Sequence, residues 1–121
     1  MGRFAQFFSG RARSFGFAFR GMFLLLATQR NSWIHALATV VVVVAGFVAG
    51  LSRMEWCAIV LACAGVWVAE ALNTAVEFLG DAVSQEWHPL IERAKDVAAA
   101  GVLIAAVAAA VVGGIVFAGH L

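Results

Sequence analysis

The sequence predicts an all-α membrane protein: an N-terminal amphipathic surface helix plus three transmembrane helices, in a single domain over residues 1–121. Three observations carry this expectation. Apolar residues make up 64% of the chain and charged residues only 12%, against about 45–50% and about 25% in soluble domains. Three apolar stretches each approach the roughly 20 residues that cross a bilayer. The single proline, Pro89, lies in a polar segment, so no span carries a proline kink. A formal net charge of +1 gives no ground for expecting a nucleic-acid partner.

The surface helix is expected over about residues 2–30. Phe4, Phe7, Phe8, Phe15, Phe19 and Phe23 recur at three-to-four spacing with arginines set among them. That pattern suits a helix lying in the membrane interface. Gly10 and Gly16 weaken it, so breaks are expected there. The arginines interrupt any apolar core, so this stretch is not expected to be a cleaved signal peptide. A polar knot follows, Thr28-Gln29-Arg30-Asn31-Ser32.

The first span is expected over residues 33–51, with the uniformly apolar interior Thr39-Val-Val-Val-Val-Val-Ala-Gly46. The second is expected over 55–80, with Trp56 as an interface anchor. A polar loop over 81–92 leads to the third span, 93–118. That span is rich in alanine and carries Gly101, Gly113 and Gly114. Small residues let membrane helices approach closely, so it is expected to pack on other helices. Cys57 and Cys63 lie six residues apart on the second span. A separation of about 9 Å along the helix forbids a bridge between them and leaves them as apolar filler.

Arg3, Arg11, Arg13, Arg20, Arg30, Arg93 and Lys95 lie in the N-terminal segment and around the second loop, while Arg53 alone lies in the first hairpin. Basic residues favour the cytoplasmic side. The N-terminus and second loop are therefore expected in the cytoplasm, and the first hairpin and His120 outside. Three helices cover little surface, so a homo-oligomer is expected.

The middle span carries the candidate residues for chemistry. It reads Glu70-Ala-Leu-Asn73-Thr-Ala-Val-Glu77-Phe-Leu-Gly-Asp81, with polar positions at steps of three, four and four. Those steps place them on one helix face. A carboxylate at the centre of a spanning helix costs roughly 2.5–3.5 kcal/mol. Such a stripe suits a hard cation such as Mg²⁺, which takes one or two carboxylates with phosphate oxygens and water. Phosphoryl transfer needs such a cation and a group to orient the attacking hydroxyl. Polar contacts between subunits, or an ion or proton path, would use the same residues.

Glu92-Arg93-Ala94-Lys95-Asp96 opens the third span on the same side of the membrane. A helix N-terminus favours anions, and Lys95 adds a positive charge for phosphate. Plain capping and membrane anchoring would also explain this segment. His35 and His88 read as isolated interfacial histidines. No Cys/His cluster has zinc spacing. The chain lacks the G-x-x-x-x-G-K-[ST] loop, the H-R-D loop and the G-x-S-x-G elbow.

The run Glu70-Ala-Leu-Asn73-Thr-Ala-Val-Glu77, then Asp81, then Arg93-Ala-Lys95-Asp96 before a small-residue helix, resembles the prokaryotic diacylglycerol kinase and undecaprenol kinase family. The likeness extends from Arg13 to the C-terminus. It implies a homotrimer in the bacterial inner membrane that transfers the γ-phosphate of ATP, with Mg²⁺, to a membrane lipid alcohol. It implies Glu70 as general base, with Asn73 ordering phosphate and acceptor. It implies Glu77 as a metal ligand, with Gln29 standing where the family has a second metal-binding acid. Arg13, Phe17, Asp81, Glu86, His88, Lys95 and Asp96 take nucleotide-binding roles by the same resemblance. The undecaprenol branch reads roughly E-x-N-x-R-I-H where this chain has Gln29-Arg-Asn31-Ser-Trp33-Ile-His35. Asn31 and His35 agree and favour undecaprenol; the acid and the arginine do not, and diacylglycerol stands as the other acceptor. An ion- or proton-conducting oligomer and a scaffold without chemistry are the readings from other classes.

Glutamine brings an oxygen but no charge, so a raised Mg²⁺ requirement is expected. Gln29→Glu should lower the Mg²⁺ concentration needed for half-maximal activity. An unchanged Mg²⁺ titration would remove Gln29 from the metal site.

Overall fold

The computed structural model describes residues 2–121 and is helical, with no strand among those residues. Its elements are α1 (Arg3–Thr28), α2 (Arg30–Ala49), α3 (Arg53–Val83) and α4 (Pro89–Ala118). They fall into two units, Met1–Trp33 and Ile34–Leu121, with the division inside α2.

In the first unit α1 is one unbroken helix of 26 residues. The breaks expected at Gly10 and Gly16 do not occur. A glycine costs about 1 kcal/mol relative to alanine in a helix, and neighbouring turns offset that here. Ser14 Oγ donates to Gly10 O at 3.1 Å. The Phe4 and Phe8 rings meet edge to face at 4.9 Å. Arg11 lies over the Phe7 ring at 5.1 Å and Arg20 over Phe17 at 5.5 Å. Pairs at such spacing each add a few tenths of a kcal/mol to a helix.

The polar knot is shorter than expected. Gln29 alone leaves helical geometry, at φ −109° and ψ 115°, and Arg30–Ser32 already belong to α2. Buried Ser32 explains the tight passage: its Oγ lies 2.6 Å from Gln29 O and 3.1 Å from Leu25 O. It adds a second donor to carbonyls that already accept the Gln29 and Ser32 N–H groups, and so ties the end of α1 to the start of α2.

In the second unit α2 ends at a glycine. Gly50 has φ +72°, and the N–H groups of Gly50 and Leu51 both donate to Gly46 O. A left-handed residue there closes a helix at little cost only when it lacks a Cβ. Ser52 then caps α3. Glu55 N donates to its hydroxyl, and the Glu55 side chain accepts from Ser52 N. This box starts α3 at Arg53, two residues before the expected boundary, and the helix runs on to Val83.

Pro89 was expected in a loop and instead opens α4. Proline suits the first helical position because its fixed φ fits and its missing N–H would have no partner. His88 caps the same turn, its Nδ1 accepting from Leu90 N at 3.1 Å. The connection between α3 and α4 is therefore shorter than the expected 81–92.

Helices α3 and α4 pack along each other. Near the α2–α3 turn, Leu51, Ile59 and Val116 form a small core with Val42, Trp56 and Val112 against it. At the same end His120 Nε2 lies 2.8 Å from Glu55 Oε2. Elsewhere large apolar side chains such as Phe47, Leu61, Ile104 and Ile115 face outward. Helices α2, α3 and α4 are each long and apolar enough to cross a membrane. Cys57 and Cys63 are unbonded.

Gly46 lets Trp56 close on α2: a Cβ there would lie 2.6 Å from the tip of the indole. Gly46→Ala should therefore cost about 1–3 kcal/mol of stability in detergent. The loss, read as a lowered unfolding midpoint, should shrink when Trp56→Leu is introduced with it.

Candidate active site

The polar stripe of α3 forms two separate arrangements in the second unit. The inner one centres on Glu70. Its side chain is 2% exposed, and its Oε2 lies 3.2 Å from His35 Nε2 on α2. The reading of His35 as an isolated interfacial histidine is thus corrected. Placing a carboxylate among apolar helices demands a compensating partner, and His35 supplies it. A second contact lies one turn away, where Trp67 Nε1 donates to Thr39 Oγ1 at 3.0 Å. Thr39 Oγ1 in turn donates to His35 O at 2.7 Å. Thr39 and Trp67 were not singled out in the sequence. Their signal was spacing: Thr39 is four residues from His35, and Trp67 three from Glu70.

His35 and Thr39 also line an apolar groove of about 270 Å³, walled by Val42, Ile59, Val66 and Ala106 among others. Asn73, one turn beyond Glu70, faces a different groove with Leu72, Val76, Leu90 and Arg93. The Asn73 Oδ1 and Thr74 Oγ1 atoms are buried without a hydrogen-bond partner. Buried polar atoms rarely stay unpaired, so both keep an unused hydrogen-bonding capacity.

The outer arrangement joins three expected site residues. Lys95 of α4 reaches across to α3, with Nζ 3.3 Å from Glu77 Oε2 and 2.8 Å from Asp81 Oδ1. Gly80 makes this possible. A Cβ at Gly80 would lie 3.0 Å from Lys95 Cε, so the lysine stem runs directly over the glycine.

The other expected residues are spread more widely. Asp96 is exposed on α4 beside Lys95. Glu86 is exposed in the α3–α4 connection, its N–H donating to Ser84 Oγ and its carbonyl accepting from the same hydroxyl. His88 is the α4 cap. In the first unit, exposed Arg13 lines a shallow depression with Ala5, Gln6, Ser9 and Gly10. Phe17 is exposed under the Arg20 guanidinium. Gln29 Nε2 donates to Thr28 Oγ1 at 3.3 Å.

Among the described residues, no three His, Cys, Asp or Glu side chains converge into a closed metal cage. Glu77 and Asp81 carry the carboxylate oxygens that a hard cation takes along with phosphate and water, and in this structure both are paired with the Lys95 ammonium.

The comparisons with known proteins agree with one another. The family profile described as "Prokaryotic diacylglycerol kinase" matches residues 16–117. The chain is 39% identical over 105 residues to undecaprenol kinase from Bacillus subtilis, spanning 87% of this chain and 85% of that protein. It is 41% identical over 102 residues to diacylglycerol kinase from Synechocystis sp., covering 84% of this chain and 58% of that longer protein. A diacylglycerol kinase from Helicobacter pylori is 30% identical over 102 residues, covering 78% of this chain and 79% of its own.

The Lys95 pairs are half open to solvent, with side-chain exposures of 28% for Lys95, 41% for Glu77 and 63% for Asp81. Exposed pairs contribute about 0–1 kcal/mol each. Lys95→Met should therefore change unfolding stability in detergent by less than about 1 kcal/mol. A larger loss would mark the cluster as a structural tie.

Proposed function

This chain belongs to the prokaryotic diacylglycerol kinase family and is a lipid kinase; we propose that it moves the terminal phosphate of ATP onto the hydroxyl of a membrane lipid alcohol, with undecaprenol as the acceptor. The relative from B. subtilis, named undecaprenol kinase, supports that choice. The relatives named diacylglycerol kinase support diacylglycerol as the second acceptor.

The observation that carries the reading is Glu70, a buried carboxylate in a span-length helix beside an apolar groove. A groove lined by His35 and aliphatic side chains suits the hydrocarbon next to a lipid hydroxyl. Helix α3 has 31 residues, or about 46 Å, against a hydrocarbon thickness of about 30 Å. Counted from Trp56 at one interface, about 20 residues reach the neighbourhood of Val76. Glu70 then lies within the hydrocarbon, and Glu77, Asp81 and Lys95 lie at its watery edge. Lipid approaches from the bilayer and nucleotide from water. The basic residues favour the cytoplasm for that edge and for the N-terminus, in a bacterial inner membrane. The Phe–Arg pairs of α1 suit an interfacial helix. The uncovered apolar faces suit a homo-oligomer, a trimer by the family resemblance.

In this mechanism Glu70 takes the proton of the acceptor hydroxyl as its oxygen attacks phosphorus. Asn73 orders the acceptor and the transferred group through its free carbonyl and its amide. Lys95 offers its ammonium to phosphate oxygens, with Asp81, Asp96, Glu86 and His88 on the nucleotide side. Arg13 and Phe17 keep nucleotide-binding roles, and Gln29 a metal-binding role, on the resemblance. Glu77 would hold Mg²⁺, which when bound screens phosphate charge.

The test uses purified protein in mixed micelles with labelled ATP, offered undecaprenol, diacylglycerol and ceramide in parallel. Undecaprenol should give the dominant product. Glu70→Gln should lower its formation by at least about 100-fold. Unimpaired turnover by that variant would overturn the mechanism, and ion flux into liposomes without ATP would favour a conductor instead.

A further inference from the structure

Glu70 and His35 meet across two helices. The contact is 3.2 Å, with Glu70 2% and His35 19% exposed. The adjoining Trp67–Thr39 bond makes a second rung between α3 and α2. Thr39 also bonds to the His35 carbonyl, and the Trp67 ring stands edge-on to the imidazole at 6.3 Å. The imidazole itself thus touches Glu70 Oε2 through Nε2 and stands beside the Trp67 ring, while Thr39 braces the helix that carries it. A bare Nε2 lone pair would repel that oxygen, so the bonded tautomer carries its proton on Nε2.

We propose that His35 is the positioning residue for Glu70 in phosphoryl transfer. Resting on the lipid kinase reading, the inference assigns each Glu70 oxygen a task. Oε2 accepts the N–H of His35, and Oε1 is left for the acceptor hydroxyl. During transfer the hydroxyl proton passes to Oε1. The hydroxyl oxygen forms its bond to the terminal phosphorus, and the bond from phosphorus to the nucleoside diphosphate breaks, the leaving oxygen keeping the electron pair. Glu70 later returns the proton to water. His35 keeps its own proton throughout. Its hydrogen bond stabilises the charged carboxylate that must stand ready in an apolar setting, and fixes the rotamer that aims Oε1. An oxygen displaced by about 1 Å from its reacting partner can cost about 100-fold in rate.

The side-chain amide of glutamine can place an N–H near the position of Nε2, whereas that of asparagine falls near Nδ1. His35→Gln should keep kcat for lipid phosphorylation within about tenfold of the parent. His35→Asn and His35→Leu should each lose about 100-fold in kcat, with KM for lipid and ATP changed by less than about threefold. In a Glu70→Gln background, His35→Leu should add less than about threefold, since its target is already gone. Unfolding midpoints and oligomer size in detergent accompany each variant. If His35→Leu does not fold, the contrast between His35→Gln and His35→Asn decides. Equal rates for those two, or a full multiplicative loss in the Glu70→Gln background, overturn the proposal. A parent protein that phosphorylates none of the three lipids overturns the lipid acceptors themselves, a separate failure from an active parent indifferent to His35.

Discussion

A carboxylate inside an apolar helix needs a partner, and the pairing of Glu70 with His35 meets that need. The surrounding arrangement follows from it. His35 must come from another helix, so α2 has to present one particular face to α3. Thr39 and Trp67 hold that face one turn away. Thr39 caps its own helix's His35 carbonyl while receiving the indole N–H. Interhelical hydrogen bonds of this kind are worth about 0.6 kcal/mol on average in membranes. They are too weak to hold the helices alone, but they are directional and can select one rotation of α2 over others.

The stripe of α3 passes from buried to watery within three turns. Glu70 is enclosed, Asn73 carries an unpartnered carbonyl, and Glu77 and Asp81 share a partly exposed lysine. One helix face thus presents different electrostatic surroundings in order. Near Glu70 a single charge interacts strongly because little water screens it. Near Lys95 the charges are loosely coupled and can exchange partners at small cost. The proposed transfer, with a lipid hydroxyl at one end and phosphates at the other, would use that gradient. The glycine at position 80 belongs to it, since a Cβ there would come within 3.0 Å of both Lys95 Cε and Ile91.

The local signals in the chain differed in strength. Apolar runs marked three spans because they reflect composition over some 20 residues. Helix ends were read less well. Ser52 and His88-Pro89 are capping signals that act over one turn, and they moved the starts of α3 and α4 earlier than the hydropathy boundary. Gly10 and Gly16 show the opposite error. Their propensity argues for breaks, but flanking turns with paired aromatic and basic side chains keep α1 continuous.

Read alone, the chain established a helical membrane protein and put Glu70, Asn73, Glu77 and Asp81 on one face. Both conclusions depend on local spacing and composition, which helix periodicity translates directly into geometry. Tertiary packing decided which residues on other helices meet that face: His35, 35 positions away from Glu70, and Lys95, 14 from Asp81. Periodicity orders neighbours within a helix, but the rotation and register of one helix on another are set by side-chain packing and by the glycines that admit close approach.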